Sequence, residues 1–276
     1  MRSCTTLTQG DIQSQTIDGD HRPLTIPEEK ILLTTESKLI RNRNFIHLDW
    51  QHEHQQGLTF QNCTISCSDF SNANLDGLRL ENCHLLNCDF SNASMQDGFF
   101  EGCVFYEKET QKGCDFHRTD LRRTEFQRCD ISMGNFTRSE VFDITINDCQ
   151  AQGCNFEHAD FVNVVSRTVL FSAARLTKTN FKYSDFEGVY LEKCDLSESK
   201  LVSVILSRVN LEGAKLANTE FAPSQYEGLS IFKADLRNAE IRGVDIRTLD
   251  FSGVKIFEWQ MVPLMEALGF AIYPDN

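Results

Sequence analysis

The residues best suited to chemistry are few. His47, His52 and His54 gather around Glu53, a donor set of the kind that binds zinc. They have no companion at ligand spacing, so a solvated turn is the favoured reading and no metal is assigned. Eleven cysteines offer thiolate, metal or disulfide chemistry, and Cys63 with Cys67 and Cys83 with Cys103 come nearest to pairs. In a reducing compartment such pairs are expected to point into a core rather than to bond. The chain has no G-x-S-x-G nucleophile turn, no G-x-x-x-x-G-K-[ST] phosphate loop and no G-x-G-x-x-G. An enzyme reading has no residues to stand on, and no cofactor is expected.

What positions the cysteines is a repeat. From Phe116 to Ile256 a bulky apolar residue recurs at every fifth position, and of 29 slots only Ala151 and Ser166 break the series. From Phe60 to Phe105 the same period runs one residue out of phase. Fifteen of the 21 Phe fall on this lattice, including Phe171. Two residues before each centre the side chain is usually small, and nine of the eleven Cys occupy that slot. They are therefore read as small buried hydrophobes.

A period of five fits neither an amphipathic helix nor a plain strand. Three near-extended residues followed by a corner satisfy it, and four corners close a square. Glycines such as Gly57, Gly77, Gly188 and Gly213, with several Asn, supply the corners. Residues twenty apart then stack at about 4.8 Å, coil on coil. Phe116, Phe136 and Phe156 followed by Leu176, Leu196, Leu216 and Leu236 should form one column. The fold class expected is all-β, a solenoid with an aromatic interior.

Units such as Cys88-Asp89-Phe90-Ser91-Asn92 and Ala159-Asp160-Phe161-Val162-Asn163 resemble the pentapeptide-repeat family and its right-handed quadrilateral β-helix. The stretch Phe105 to Phe116, the run Leu191 to Leu196, and the ending Gly253-Val254-Lys255-Ile256 with Trp259-Gln260 and Leu268-Gly269 resemble the Qnr quinolone-resistance branch. The resemblance implies a cytosolic, rod-shaped homodimer that catalyses nothing, binds DNA gyrase and topoisomerase IV and protects them from quinolones. It implies that two loops make the contacts. The first, within 106–113, would use Tyr106, Glu107, Lys108, Glu109, Thr110, Gln111 and Lys112. The lattice marks it independently, because Phe105 and Phe116 lie eleven apart and six residues have been inserted. The second, 165–170, would use Ser166, Arg167, Thr168, Val169 and Leu170; there the lattice fails at Ser166 and the small slots become Val164 and Val169. A scaffold or immunity protein with another protein partner is the alternative.

The ends depart from the lattice. Residues 1–42 form an N-terminal extension, polar for the most part, with a possible short helix at Thr25 to Leu33; disorder or a misplaced start is favoured over a partner contact. The solenoid is expected over 43–256. After Ile256, Phe257, Met261, Leu264, Met265 and Leu268 fall on one face of a short helix with Pro263 in its first turn. With Trp259 they form the expected capping and dimerisation surface of 257–276. There is no secretory signal and no run of 18 apolar residues, so a cytoplasmic location without membrane contact is expected.

The net charge of −13 argues against direct binding to nucleic acid; the fold that the resemblance implies brings with it the idea that an acidic rod imitates duplex DNA. Residues 57–256 hold 29 acidic and 21 basic residues, 21 − 29 = −8. A rod of about 45 Å replaces B-DNA carrying roughly 26 phosphate charges. Global mimicry is therefore weak. Acidity concentrates in the early coils, where residues 58–107 total −6, and the loops carry the recognition expected.

Overall fold

The structure, a computed structural model, describes residues 38–166 and 169–273. Along the coils a left-handed residue recurs every five positions, as at Asn62, Cys67, Asn72 and Gly77 with φ of 54°, 50°, 59° and 70°. Each such residue turns a short extended stretch, and four turns close a coil. Strands Leu39–Arg41, Thr59–Gln61, Arg79–Glu81, Phe99–Glu101, Glu125–Gln127, Thr145–Asn147 and Arg175–Thr177 stack in parallel as one sheet. The fold is a β-solenoid with one short helix near its C-terminal end. Its ladder begins at Leu39, paired with Thr59, inside the segment assigned to the extension; Thr25 to Leu33 lie outside the described residues.

The corners are not reserved for Gly and Asn. Arg118, Arg123, Arg128, Arg138, Lys193, Arg208 and Lys233 are left-handed too, at a cost of about 1 kcal/mol each. Some of these stems find a neighbour to lie on. A Cβ built at Gly213 would sit 3.3 Å from Lys193 Cγ, and one at Gly228 would sit 3.6 Å from Arg208 Cγ. Long aliphatic stems thus cover glycine corners of the next coil. Cys67 is itself a half-exposed corner residue, not a core partner of Cys63.

Inside, Phe70, Phe90, Phe116, Phe136, Phe156 and Phe186 form one column of parallel rings, with successive centroids 4.7 to 5.2 Å apart. That is the spacing of hydrogen-bonded strands. The small slots line it. Cys129 Sγ donates to the Phe100 carbonyl at 3.3 Å, and Thr119 Oγ1 donates to the Phe90 carbonyl at 2.7 Å. Among the described residues no buried side-chain nitrogen or oxygen lacks a partner.

The expected column is corrected beyond Phe156. Phe156 stacks on Phe186, while Leu176 pairs with Ile146 and follows a different column. Thirty residues, not twenty, separate these partners, because ten residues have left the coil. Ten is a multiple of five, so the lattice resumes in phase and hides the size of the insertion. At the first loop Asp89 pairs with Asp115, twenty-six apart, as an insertion of six requires.

Candidate functional site

The first insertion is a hairpin. Tyr106–Glu107 pairs antiparallel with Lys112–Gly113, and Gln111 takes the left-handed conformation that reverses the chain. Lys108, Glu109, Thr110, Gln111 and Lys112 are exposed, whereas Tyr106 and Glu107 are half-buried. The Glu107 carboxylate accepts hydrogen bonds from Asn87 Nδ2 and Thr110 Oγ1, so it fastens the hairpin to the preceding coil. Gly113 lies so close to the next coil that a Cβ there would come within 2.4 Å of the Met133 backbone. Met133, 49% exposed, continues the surface of the hairpin along the same corner of the rod.

The second insertion is larger than the sequence lattice indicated. Val162–Ser166 and Val169–Ser172 pair antiparallel, with Asn163 opposite Phe171, Val164 opposite Leu170, and a register shift between Val164 and Ser166. Ser166, Val169 and Leu170 are thus hairpin residues; Arg167 and Thr168 lie outside the described residues. Phe171 is not an inward lattice residue. It is 51% exposed and its ring leans on Phe142 at 6.0 Å. The insertion of ten explains this, since a residue inside an excised pair of units has no coil to face. In coil order the two hairpins leave corners two units apart, which are opposite corners of the square.

Beneath the second hairpin is a groove of about 380 Å³. Arg122, Arg123, Glu140, Phe142, Asp160, Val162, Asn163 and Val164 line it. Asp120, Glu140 and Asp160 are stacked in parallel register, one per coil. Arg122 is hydrogen-bonded to Asp120 through both Nε and Nη2, and its Nε lies 3.3 Å from Glu140. Arg123 grips Asp97 through Nε at 2.7 Å and Nη2 at 2.9 Å, which holds that carboxyl below its usual range. The acidic ladder was missed because charges summed over a whole face cancel. Its signal was present as acids twenty apart at one lattice phase.

The C-terminal end differs from expectation in what it buries. A 3-10 turn, Glu258–Gln260, leads into helix α1, Met261–Ala267, with Pro263 in its first turn. Leu264 and Met265 are half-buried, but Phe257, Trp259, Met261 and Leu268 are exposed. Most of the apolar stripe therefore faces solvent. A polar residue makes the attachment instead. Gln260 Nε2 donates to the Leu236 and Ala239 carbonyls, each at 2.9 Å, and its Oε1 accepts from the Asn238 and Phe257 amides at 3.0 and 2.8 Å.

Nothing in the described residues resembles a catalytic centre. His47, His52 and His54 are exposed, and among the described residues no group of three His, Cys, Asp or Glu could hold a metal. Burial pushes the Cys88, Cys154 and Cys194 thiols up, away from the thiolate a nucleophile needs. No helix of the described residues is long and apolar enough to cross a membrane.

Comparison with known proteins agrees with this geometry. Family models match at residues 59–105, as pentapeptide repeats in eight copies, and at 119–201, as a pentapeptide repeat region. Among solved structures, trypsin-treated QnrB1, a plasmid-mediated fluoroquinolone resistance protein, is 33% identical with a TM-score of 0.67, over 84% of this chain and 99% of that one. The chain belongs to the pentapeptide-repeat family, on its Qnr branch. Full-length QnrB1 aligns at 32% identity over all of its chain, with a TM-score of 0.64. Two curated Qnr relatives match over shorter stretches. The pentapeptide repeat protein QnrB4 of Escherichia coli is 40% identical over 89 residues, and the quinolone resistance protein QnrB96 of Scandinavium goeteborgense is 36% identical over 135. These matches cover 32% and 49% of this chain and span 41% and 54% of those relatives' lengths.

Proposed function

We propose that this Qnr-branch protein binds the type II topoisomerases DNA gyrase and topoisomerase IV and protects them from quinolones without catalysing a reaction. The observation that carries the reading is the pair of hairpins. Both leave a solenoid whose ring column runs on beneath them undisturbed, so neither is needed for the core. The match to QnrB1, a fluoroquinolone resistance protein, over nearly its whole length supports a role in quinolone resistance. Lys108 to Lys112 of the first hairpin and residues 166–170 of the second are the proposed contacts. The exposed apolar surface of Phe257, Trp259, Met261 and Leu268 suits a homodimer joined end to end in the cytoplasm.

Gyrase supercoiling measured with and without ciprofloxacin tests the reading. Added protein should restore supercoiling in the presence of drug. A variant lacking residues 163–172, with twenty-residue spacing restored, should not. Equal protection by that variant would remove the second hairpin from the mechanism, and no protection by the intact protein would end the proposal.

A further inference from the structure

We infer that the groove beneath the second hairpin receives a protein segment that presents a basic side chain, arginine by preference, beside an aliphatic or aromatic one. This rests on the reading of the protein as one that binds a topoisomerase. It moves the centre of recognition from the hairpin's tip to its base.

Two features of the groove specify the occupant. The first is an apolar wall with no cover among the described residues. Phe142, Val162 and Val164 line it, and Val164 is 65% exposed. Exposed apolar side chains gathered beside a concavity mark a protein contact. The second is an imbalance of charge. The guanidinium groups of Arg122 and Arg123 are matched one to one by Asp120 and Asp97. Among the described residues Glu140 is reached only by Arg122 Nε, at 3.3 Å, and its side chain remains 57% exposed. Asp160 is hydrogen-bonded to the Val162 amide and has no lysine or arginine partner among the described residues.

Two carboxylates stacked one strand spacing apart therefore face solvent beside the apolar wall. A planar guanidinium can bridge stacked carboxylates while its aliphatic stem lies on a ring. A phosphate could not, since it would meet Glu140 and Asp160 with like charge. The chemistry selects a basic and apolar protein surface and rejects nucleic acid.

The test is binding of the intact gyrase tetramer, followed by biolayer interferometry, to the wild type and to two double variants. One is Glu140→Gln with Asp160→Asn, and the other is Phe142→Ser with Val164→Ser. Each should raise Kd by about tenfold or more, as loss of one interface anchor does. The acid-neutralised variant should also lose much of the wild type's weakening with added salt. Glu198→Gln, at an exposed corner away from the groove, should bind as the wild type does. Glu140 lies outside the hairpin, so the first double variant reports on the groove even if the second disturbs the hairpin. Wild-type binding by both doubles, with binding lost on excision of residues 163–172, would overturn the groove and leave the tip. Failure of the wild type to bind would overturn this inference and the proposed function together.

Discussion

Phe136 shows how much one side chain carries. Its ring is fully buried and lies between those of Phe116 and Phe156, both at 4.7 Å. Phe136→Ala should destabilise the protein by about 3 to 5 kcal/mol in denaturant titration, the cost of truncating a buried Phe where neighbours cannot collapse inward. Collapse is blocked because those neighbours are fixed by the coils above and below. The same geometry made Phe136 legible in the sequence, since a residue at five-residue phase inside an uninterrupted run can only point inward. Phe171 was not legible. It obeys the same phase, and only the thirty-residue register between Ile146 and Leu176 reveals that its coil is absent. Gln260 was invisible for another reason. A buried polar residue gives no periodic signal, and the apolar stripe around it drew attention to the wrong face.

At the scale of elements, attachment and insertion obey different rules. The C-terminal helix is anchored through the four hydrogen bonds of Gln260 in the turn that precedes it. Gln260→Leu keeps much of the volume and strands two carbonyls and two amides. It should cost about 2 to 4 kcal/mol, seen as a lowered Tm and as faster hydrogen exchange confined to Phe257–Leu268. The hairpins should behave oppositely. Excising residues 107–112, or residues 163–172, restores twenty-residue spacing between partners such as Asp89 and Asp115 or Ile146 and Leu176. Each excised chain should retain the far-ultraviolet circular dichroism of the parent. Loss of the β spectrum would show that a hairpin takes part in folding. The first hairpin was recognisable in the sequence because six is not a multiple of five. The second showed only as a local fault at Ser166.

For the whole molecule, charge sets the behaviour in acid. Arg247 beside Asp245 holds its carboxyl at about 2, and Arg237, Lys200 and Arg123 hold Asp235, Glu220 and Asp97 below their usual range. A carboxyl that binds its proton less tightly folded than unfolded stabilises the fold above its unfolded pKa, about 3.9 for Asp and 4.3 for Glu. That contribution is lost as pH falls through the folded value. Asp185, pushed up by burial, opposes this trend. Tm should therefore be level near neutrality and decline below about pH 4, reaching its floor near pH 2. These pairs lie at the surface with at least one partner largely in solvent, so the decline should be shallow and smaller still in high salt. A Tm that rises on acidification would contradict the pairing.

The unbroken stack of rings beneath both hairpins has a consequence for how such rods diversify. Lengthening, shortening or exchanging a protrusion leaves the stacked rings of the shaft where they were. Descendants of one ancestral rod can thus acquire new targets without first re-solving the problem of folding.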